Sequence, residues 1–323
     1  MVVLGACVAW ALLCAAGRPT RPEGMVLAVL AVAAGYAGGR VAGALLPVAA
    51  PAAAGVVGLG LVLATPHSGQ PTAPGPAGLM VAYAALAVGA ACCAGWASTA
   101  PAVRVGCALL AVAVVVAAFG VGSVPGGLAG STVALFSLAA RRPRRALGLA
   151  GFALCAVLAV SASWATAERA LPAGLSSSLQ GQLTDQRVHL WQDAIDIAAG
   201  HPGRGAGPGR FAELSPTARQ AAEPASRPYS APFQQAAEQG VPGVALLAAA
   251  FGWMLYALRC STRTTPVVLT AGAALTALAV AATVGNALSF SEVTAGAGLL
   301  AGVATAHLVS EDASARRQCS PTG

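Results

Sequence analysis

Ten long apolar runs, at about 2–16, 25–46, 48–65, 78–97, 102–121, 125–140, 146–164, 241–258, 266–285 and 290–308, leave this chain few ways to fold in water. A helix needs about 20 apolar residues to cross a hydrocarbon core about 30 Å thick, so most of these runs read as membrane spans. The runs near 16 residues, rich in Ala and Gly, only just reach across. Charge agrees: 9% of residues are charged and mean hydropathy is +0.72, whereas soluble domains carry about a quarter charged. The prediction is an all-α polytopic integral membrane bundle of about ten spans. No charged segment precedes the first run, and Arg18 follows it closely, which argues against a cleaved signal peptide.

All 18 basic residues are Arg, and the formal charge is +7. No aromatic-interleaved basic patch or nucleic-acid module accompanies them, so nucleic acid is not an expected partner. The positive-inside rule places RRPRR (Arg141 to Arg145), RCSTR (Arg259 to Arg263), Arg104 and the tail Arg316 and Arg317 in the cytoplasm. Segment 165–240 is then extracytoplasmic, and the protein is a multi-pass resident of the plasma membrane. Counting spans backwards puts Arg18 and Arg21 outside, against the rule, so one N-terminal span is open to question. The expected organisation is a transmembrane bundle over 1–164, an outer loop over 165–240, C-terminal transmembrane helices over 241–310 and a cytoplasmic tail over 311–323.

The eight cysteines are Cys7, Cys14, Cys92, Cys93, Cys107, Cys155, Cys260 and Cys319. None has the spacing of a zinc site, and most lie in apolar runs, where Cys packs as a small apolar residue. Neither a metal nor another cofactor is expected.

Segment 165–240 holds 13 of the 29 charged residues in less than a quarter of the chain. A long connection with its own hydrophobic periodicity usually folds over the bundle and carries function. Within it, 183–200 reads as an amphipathic helix, capped by Thr184 or Asp185 and stopped by Gly200 and Pro202. On a helical wheel Leu183, Leu190, Trp191, Ala194 and Ala198 fall within about 60° of Arg187, while Asp185, His189, Gln192 and Asp196 face away. Arg187 thus sits inside an apolar stripe. A guanidinium is never neutral, so it either snorkels to headgroups or awaits an anion.

Next comes HPGRGAGPGRF (His201 to Phe211), whose glycines free the backbone for close approach and bring amides, Arg204 and Arg210 together. It is not a Walker loop, lacking Lys and a preceding strand. The third piece, SRPYSAPFQQAAEQGVPGV (Ser226 to Val244), starts a helix at FQQAAEQG and leads into the next span. Arg227, Tyr229, Gln234, Gln235 and Glu238 are expected near the outer membrane surface.

These three pieces, in this order, resemble the outer-loop region of the O-antigen ligase and polymerase family, over about 60 residues. The family pattern runs R-x-x-x-W, then a Gly-rich turn ending in Phe, then a helix start with L-Q-x-x-A-E-x-G-x-x-G. Here it stands as Arg187 with Trp191; His201, Pro202, Gly205, Gly207, Gly209 and Phe211; and Phe233, Gln234, Ala237, Glu238, Gly240 and Gly243. The resemblance implies transfer of a glycan from a polyprenyl diphosphate carrier to an acceptor hydroxyl on a glycan, lipid or protein, outside the membrane and without metal or nucleotide. It implies that Arg187 binds diphosphate, with Trp191, Arg210 and Arg227 in the same substrate site. Two departures stand out. The family His falls on Tyr229 and its Asn on Ser230, and an earlier S-R-G element falls on Leu128, Ala129 and Gly130. Tyr229 and Glu238 are therefore the candidates for the catalytic base, with Glu292 and His189 behind them. A catalytically degenerate binder of lipid-linked glycan, and a multi-pass transporter with Arg40 as a buried charge, are the alternatives.

Overall fold

The computed structural model describes residues 2–18, 22–65, 74–140, 144–168, 185–220 and 227–307. The expectations placed on Arg21, Arg141, Arg142, Leu183, Thr184 and the tail 311–323 lie outside them. Among the described residues the chain is helical, with no strand. The helices are α1 (Val2–Ala15), α2 (Glu23–Leu45), α3 (Ala49–Ala64), α4 (Pro74–Ala97), α5 (Pro101–Gly120), α6 (Val124–Ala139), α7 (Arg145–Ala167), α8 (Asp185–Gly200), α9 (Phe211–Leu214), α10 (Pro216–Gln220), α11 (Ala231–Arg259), α12 (Thr265–Val284) and α13 (Ser291–Thr305), with a 3-10 turn at Ala287–Ser289.

Six of these, α2, α5, α7, α11, α12 and the Gly78–Ala97 part of α4, are long and apolar enough to cross a membrane. Helices α1, α3 and α6 are apolar but shorter, as the marginal Ala- and Gly-rich runs foretold. Helices α12 and α4 form the centre: 78% and 67% of their apolar windows are buried, against 22% or less in the other four. Their small side chains let neighbours approach, and their few hydroxyls find partners inside. Thr276 donates to the Gly272 carbonyl, and Thr270 and the Trp96 indole both donate to Ser137 Oγ at 2.9 Å. The surrounding helices turn Leu109, Leu147 and Val157 outward, an apolar exterior suited to lipid.

The tightest pairing joins α2 to α13. Gly35, Gly39 and Gly43 lie against the backbone of Ala295, Leu299 and Val303, and Gly298 and Gly302 against that of Val32 and Tyr36; a Cβ on Gly39 would overlap the Leu299 carbonyl, as one on Gly302 would overlap that of Tyr36. Glycines four apart on one helix face permit this backbone contact.

At one end of the bundle arginines close helix C-termini. Arg145 donates to the carbonyls of Leu258 and Ser261, Arg263 to those of Ala306 at 3.0 Å and Gly43 at 2.6 Å, and Arg104 to that of Ser98 at 2.8 Å. A cation there satisfies orphan carbonyls and meets the negative end of the helix dipole. Arg40, expected to be buried, is instead exposed on α2, near the same end; its long stem reaches along the helix surface. The opposite end carries α8, the glycine turn and the start of α11.

Helix α11 begins inside the loop segment, at Ala231, and is broken at Gly240, where φ is 70° and ψ is −165°. Pro242 follows and supplies no amide. The backbone groups freed by the break find new partners. Ala237 and Glu238 accept the amides of Ala206 and Gly207 at 2.8 and 3.0 Å, Gln239 accepts the Trp10 indole at 3.2 Å, and the Val241 amide donates to Pro202 at 3.0 Å. Irregular backbone in an apolar setting requires such replacements.

Candidate functional site

Helix α8 folds as its periodicity requires. Leu190, Trp191 and Ala194 are buried and Arg187 lies half-buried on the same side, while Asp185, His189 and Asp196 are exposed. Gln192 ties the helix to the end of α7, donating to the Ala167 carbonyl at 3.0 Å. Asp193 accepts the Ser215 hydroxyl and the Thr217 amide, which fixes the start of α10. His189 turns away from the bundle and contacts Gln192 at 3.2 Å, so it stands apart from the other candidates.

The core of this cap is an aromatic stack. Phe233 lies between Trp164 and Trp191, with ring centroids 5.0 and 5.1 Å away and both pairs inclined at 26°. The Trp191 indole donates to the Pro228 carbonyl at 2.9 Å and its side chain is 0% exposed. Trp191 was expected to touch substrate; with its whole surface packed, it positions the 227–230 strap instead. That strap holds Tyr229 at φ 50°, the only non-glycine with positive φ among the described residues. Backbone strain of this kind costs about 1–3 kcal/mol and is retained where the surroundings enforce it.

Arg187 donates from Nη1 to the carbonyl of Val284, the last residue of α12, at 3.0 Å, while its buried Nε has no partner. The negative end of α12 thus meets part of the charge, and one donor is left over. Burial pulls this guanidinium below its ordinary value, and the nearby Tyr229 side chain acts in the opposite sense. Two more buried polar atoms lack partners: Ser230 Oγ, next in sequence to Tyr229, and Asn286 Oδ1, two residues after Val284. Ser230 is the position that the family resemblance matched to Asn; Asn286 went unnoticed in the sequence, since an isolated Asn carries no periodic signal.

Glu238 lies two residues before the break in α11. Its carboxylate faces the Gly209 amide and Arg227, and accepts from the Gln234 side chain at 3.3 Å. Arg210 is partly exposed and paired with Glu213 at 3.3 Å. The six expected site residues therefore form two neighbouring groups: Arg187 with Tyr229, supported from beneath by Trp191, and Glu238 with Arg227, beside the turn bearing Arg210. Glu292 stands on the first turn of α13, exposed, accepting from the Tyr83 hydroxyl at 3.1 Å.

No family model, curated protein or solved structure matches this chain.

The glycine turn departs from expectation. Its close approach serves the chain itself rather than a ligand: Gly205 sits against the Glu238–Gln239 peptide, and a Cβ on Gly240 would come within 2.5 Å of the Pro202 carbonyl. The amides of Ala206 and Gly207 are taken by the broken helix, and the Gly209 amide alone reaches a side chain, that of Glu238.

Arg18, the residue at odds with the positive-inside count, lies at this same end. It donates to the carbonyls of Cys14 at 3.1 Å and Gly205 at 3.0 Å. Its charge is held by carbonyls rather than by a cytoplasmic loop. No cluster of three or more His, Cys, Asp or Glu suited to a metal is found among the described residues.

Proposed function

We propose that this protein transfers a glycan from a polyprenyl diphosphate carrier to an acceptor hydroxyl at the outer face of the plasma membrane, as its resemblance to the O-antigen ligase and polymerase family implies. In this reading ten helices cross the membrane, the six long ones together with α1, α3, α6 and α13, and the end bearing α8 is extracytoplasmic. The observation that carries it is Arg187, a half-buried cation with an unpartnered Nε beside Tyr229. A guanidinium fork suits diphosphate oxygens, and a partly dry setting strengthens the contact. Arg227 and Arg210, a short distance along the same surface, extend the positive field.

In the transfer the acceptor oxygen bonds to the anomeric carbon as the carbon–oxygen bond to the diphosphate breaks. The carrier diphosphate leaves with the electron pair, and the acceptor proton passes to a base. Glu238 is the stronger candidate for that base. Tyr229, beside Arg187, is placed to donate a hydrogen bond from its hydroxyl to the departing phosphate.

The deciding test is Arg187→Ala in a strain that depends on this protein for surface polysaccharide. Product should vanish while the protein still reaches the membrane; undiminished product overturns the proposal. A second reading, a binder of lipid-linked glycan without turnover, is favoured by Tyr229 standing where the family has His. It predicts that the wild type makes no product and that Tyr229→His leaves this unchanged or restores synthesis. Transport is disfavoured because the backbone groups freed by the break in α11 are taken up by the turn and by Trp10, whereas transporters leave such groups facing the solute.

A further inference from the structure

Away from Arg187, α1 and α11 flank a shallow, open groove of about 550 Å³. Its walls are wholly apolar: Ala6, Ala9, Trp10 and Leu13 from α1 face Pro242 and Leu246 from α11. From Ala6 to Leu13 the wall rises about 10 Å along the helix. The volume is within the range of about 300–1,000 Å³ typical of small-molecule sites, but the lining offers no polar group to orient a water-soluble ligand. Polarity enters only at one end. Leu13 closes the groove there, and its carbonyl receives the exposed guanidinium of Arg204. The next carbonyl, of Cys14, receives Arg18, whose other nitrogen reaches Gly205.

Two cations therefore crown a slot of hydrocarbon. Each guanidinium has five N–H donors; one bond is made by Arg204 and two by Arg18, and neither has an acidic partner among the described residues. Leu13 and Cys14 belong to the C-terminal turn of α1, so both arginines are anchored at the same height, Arg204 exposed and Arg18 partly so. An apolar slot with a fixed cationic crown is complementary to one class of molecule: an amphiphile with a hydrocarbon chain and a phosphate at its head.

The geometry points to a binding site for an anionic diacyl phospholipid, with an acyl chain lying between α1 and α11 and its phosphate held by Arg204 and Arg18. The site is independent of glycan transfer. Its consequence is mechanical: Arg204 belongs to the glycine turn, Arg18 grips that turn through Gly205, and the turn holds the broken start of α11. A bound phospholipid clamps the outer cap onto the bundle.

The test is native mass spectrometry of the full-length protein released from nanodiscs containing equal phosphatidylglycerol and phosphatidylcholine. The wild type should retain one phosphatidylglycerol in clear preference to phosphatidylcholine. Arg204→Gln, which leaves the Arg18 bridge to Gly205 intact, should lower that retention about five-fold, the effect of about one interfacial cation. Ala9→Phe, which fills the slot and spares both arginines, should lower it as well. Equal retention of the two lipids, or retention unchanged in both variants, overturns the assignment. A parallel sample supplied with polyprenyl diphosphate separates the two sources of lipid phosphate: displacement of phosphatidylglycerol that Ala9→Phe abolishes would give the groove to the carrier and overturn the phospholipid assignment.

Discussion

Gly205 lies against the peptide that joins Glu238 to Gln239, so close that a Cβ at position 205 would overlap that peptide. Its φ of +63° is also one that L side chains rarely adopt. Gly205→Ala should therefore destabilise the cap formed by α8 and the glycine turn by more than about 2 kcal/mol, through left-handed strain and a backbone clash together. Gly203, two residues earlier, meets nothing within 4 Å, and Gly203→Ala should stay within about 0.5 kcal/mol of wild type. Thermal unfolding in detergent compares the pair; equal melting temperatures would refute the account of the turn.

Arg187→Lys keeps a positive charge but loses the planar fork and the Nε donor. If diphosphate is gripped by that fork, product should fall by about ten- to a hundred-fold, in keeping with about 1.5–3 kcal/mol for a hydrogen bond to a charged group. Rates measured in membrane vesicles with a lipid-linked donor check this. A lysine variant with full activity would mean that only net charge matters at this position.

Trp191→Phe should keep the stack on Phe233 and lose the indole bond to Pro228. The buried carbonyl left behind costs about 1–3 kcal/mol. Hydrogen exchange should then rise across residues 227–239 while α12 is unaffected. Loosening spread evenly over the bundle would count against a local positioning role.

Gly39→Ala and Gly38→Ala should differ in sign. The first forces a methyl into the Leu299 carbonyl and should cost about 1–3 kcal/mol; the second faces open space on the same helix and should gain about 0.5–1 kcal/mol from helix propensity. Chemical denaturation in mixed micelles distinguishes them.

Orientation is open to thiol labelling. A cysteine replacing exposed Arg219 should react with a membrane-impermeant maleimide on intact cells, and one replacing exposed Thr262 only after permeabilisation. The reverse pattern would invert the proposed topology.

Features with a local period were legible in the sequence. The apolar runs became helices at nearly their expected bounds, α8 buried the face that the wheel assigned, and Arg187 lay on that face because side-chain direction follows from helical geometry alone. The glycines of α2 and α13 acquired meaning only in the structure, because nothing local tells one helix which other helix it will touch.

What the tertiary structure decided is where separate backbones come within bonding distance. The glycine turn reads the same whether it cradles a ligand or a neighbouring helix; only the arrival of α11, broken at Gly240, shows that Gly205 serves the second purpose. Arg18 looked misplaced because charge counting ignores carbonyls, and its partner Gly205 lies far along the chain. Trp191 looked free to bind substrate until Phe233 and Pro228 covered it. Periodicity is a property of one segment and survives in the sequence, whereas close contact depends on the path of all the others.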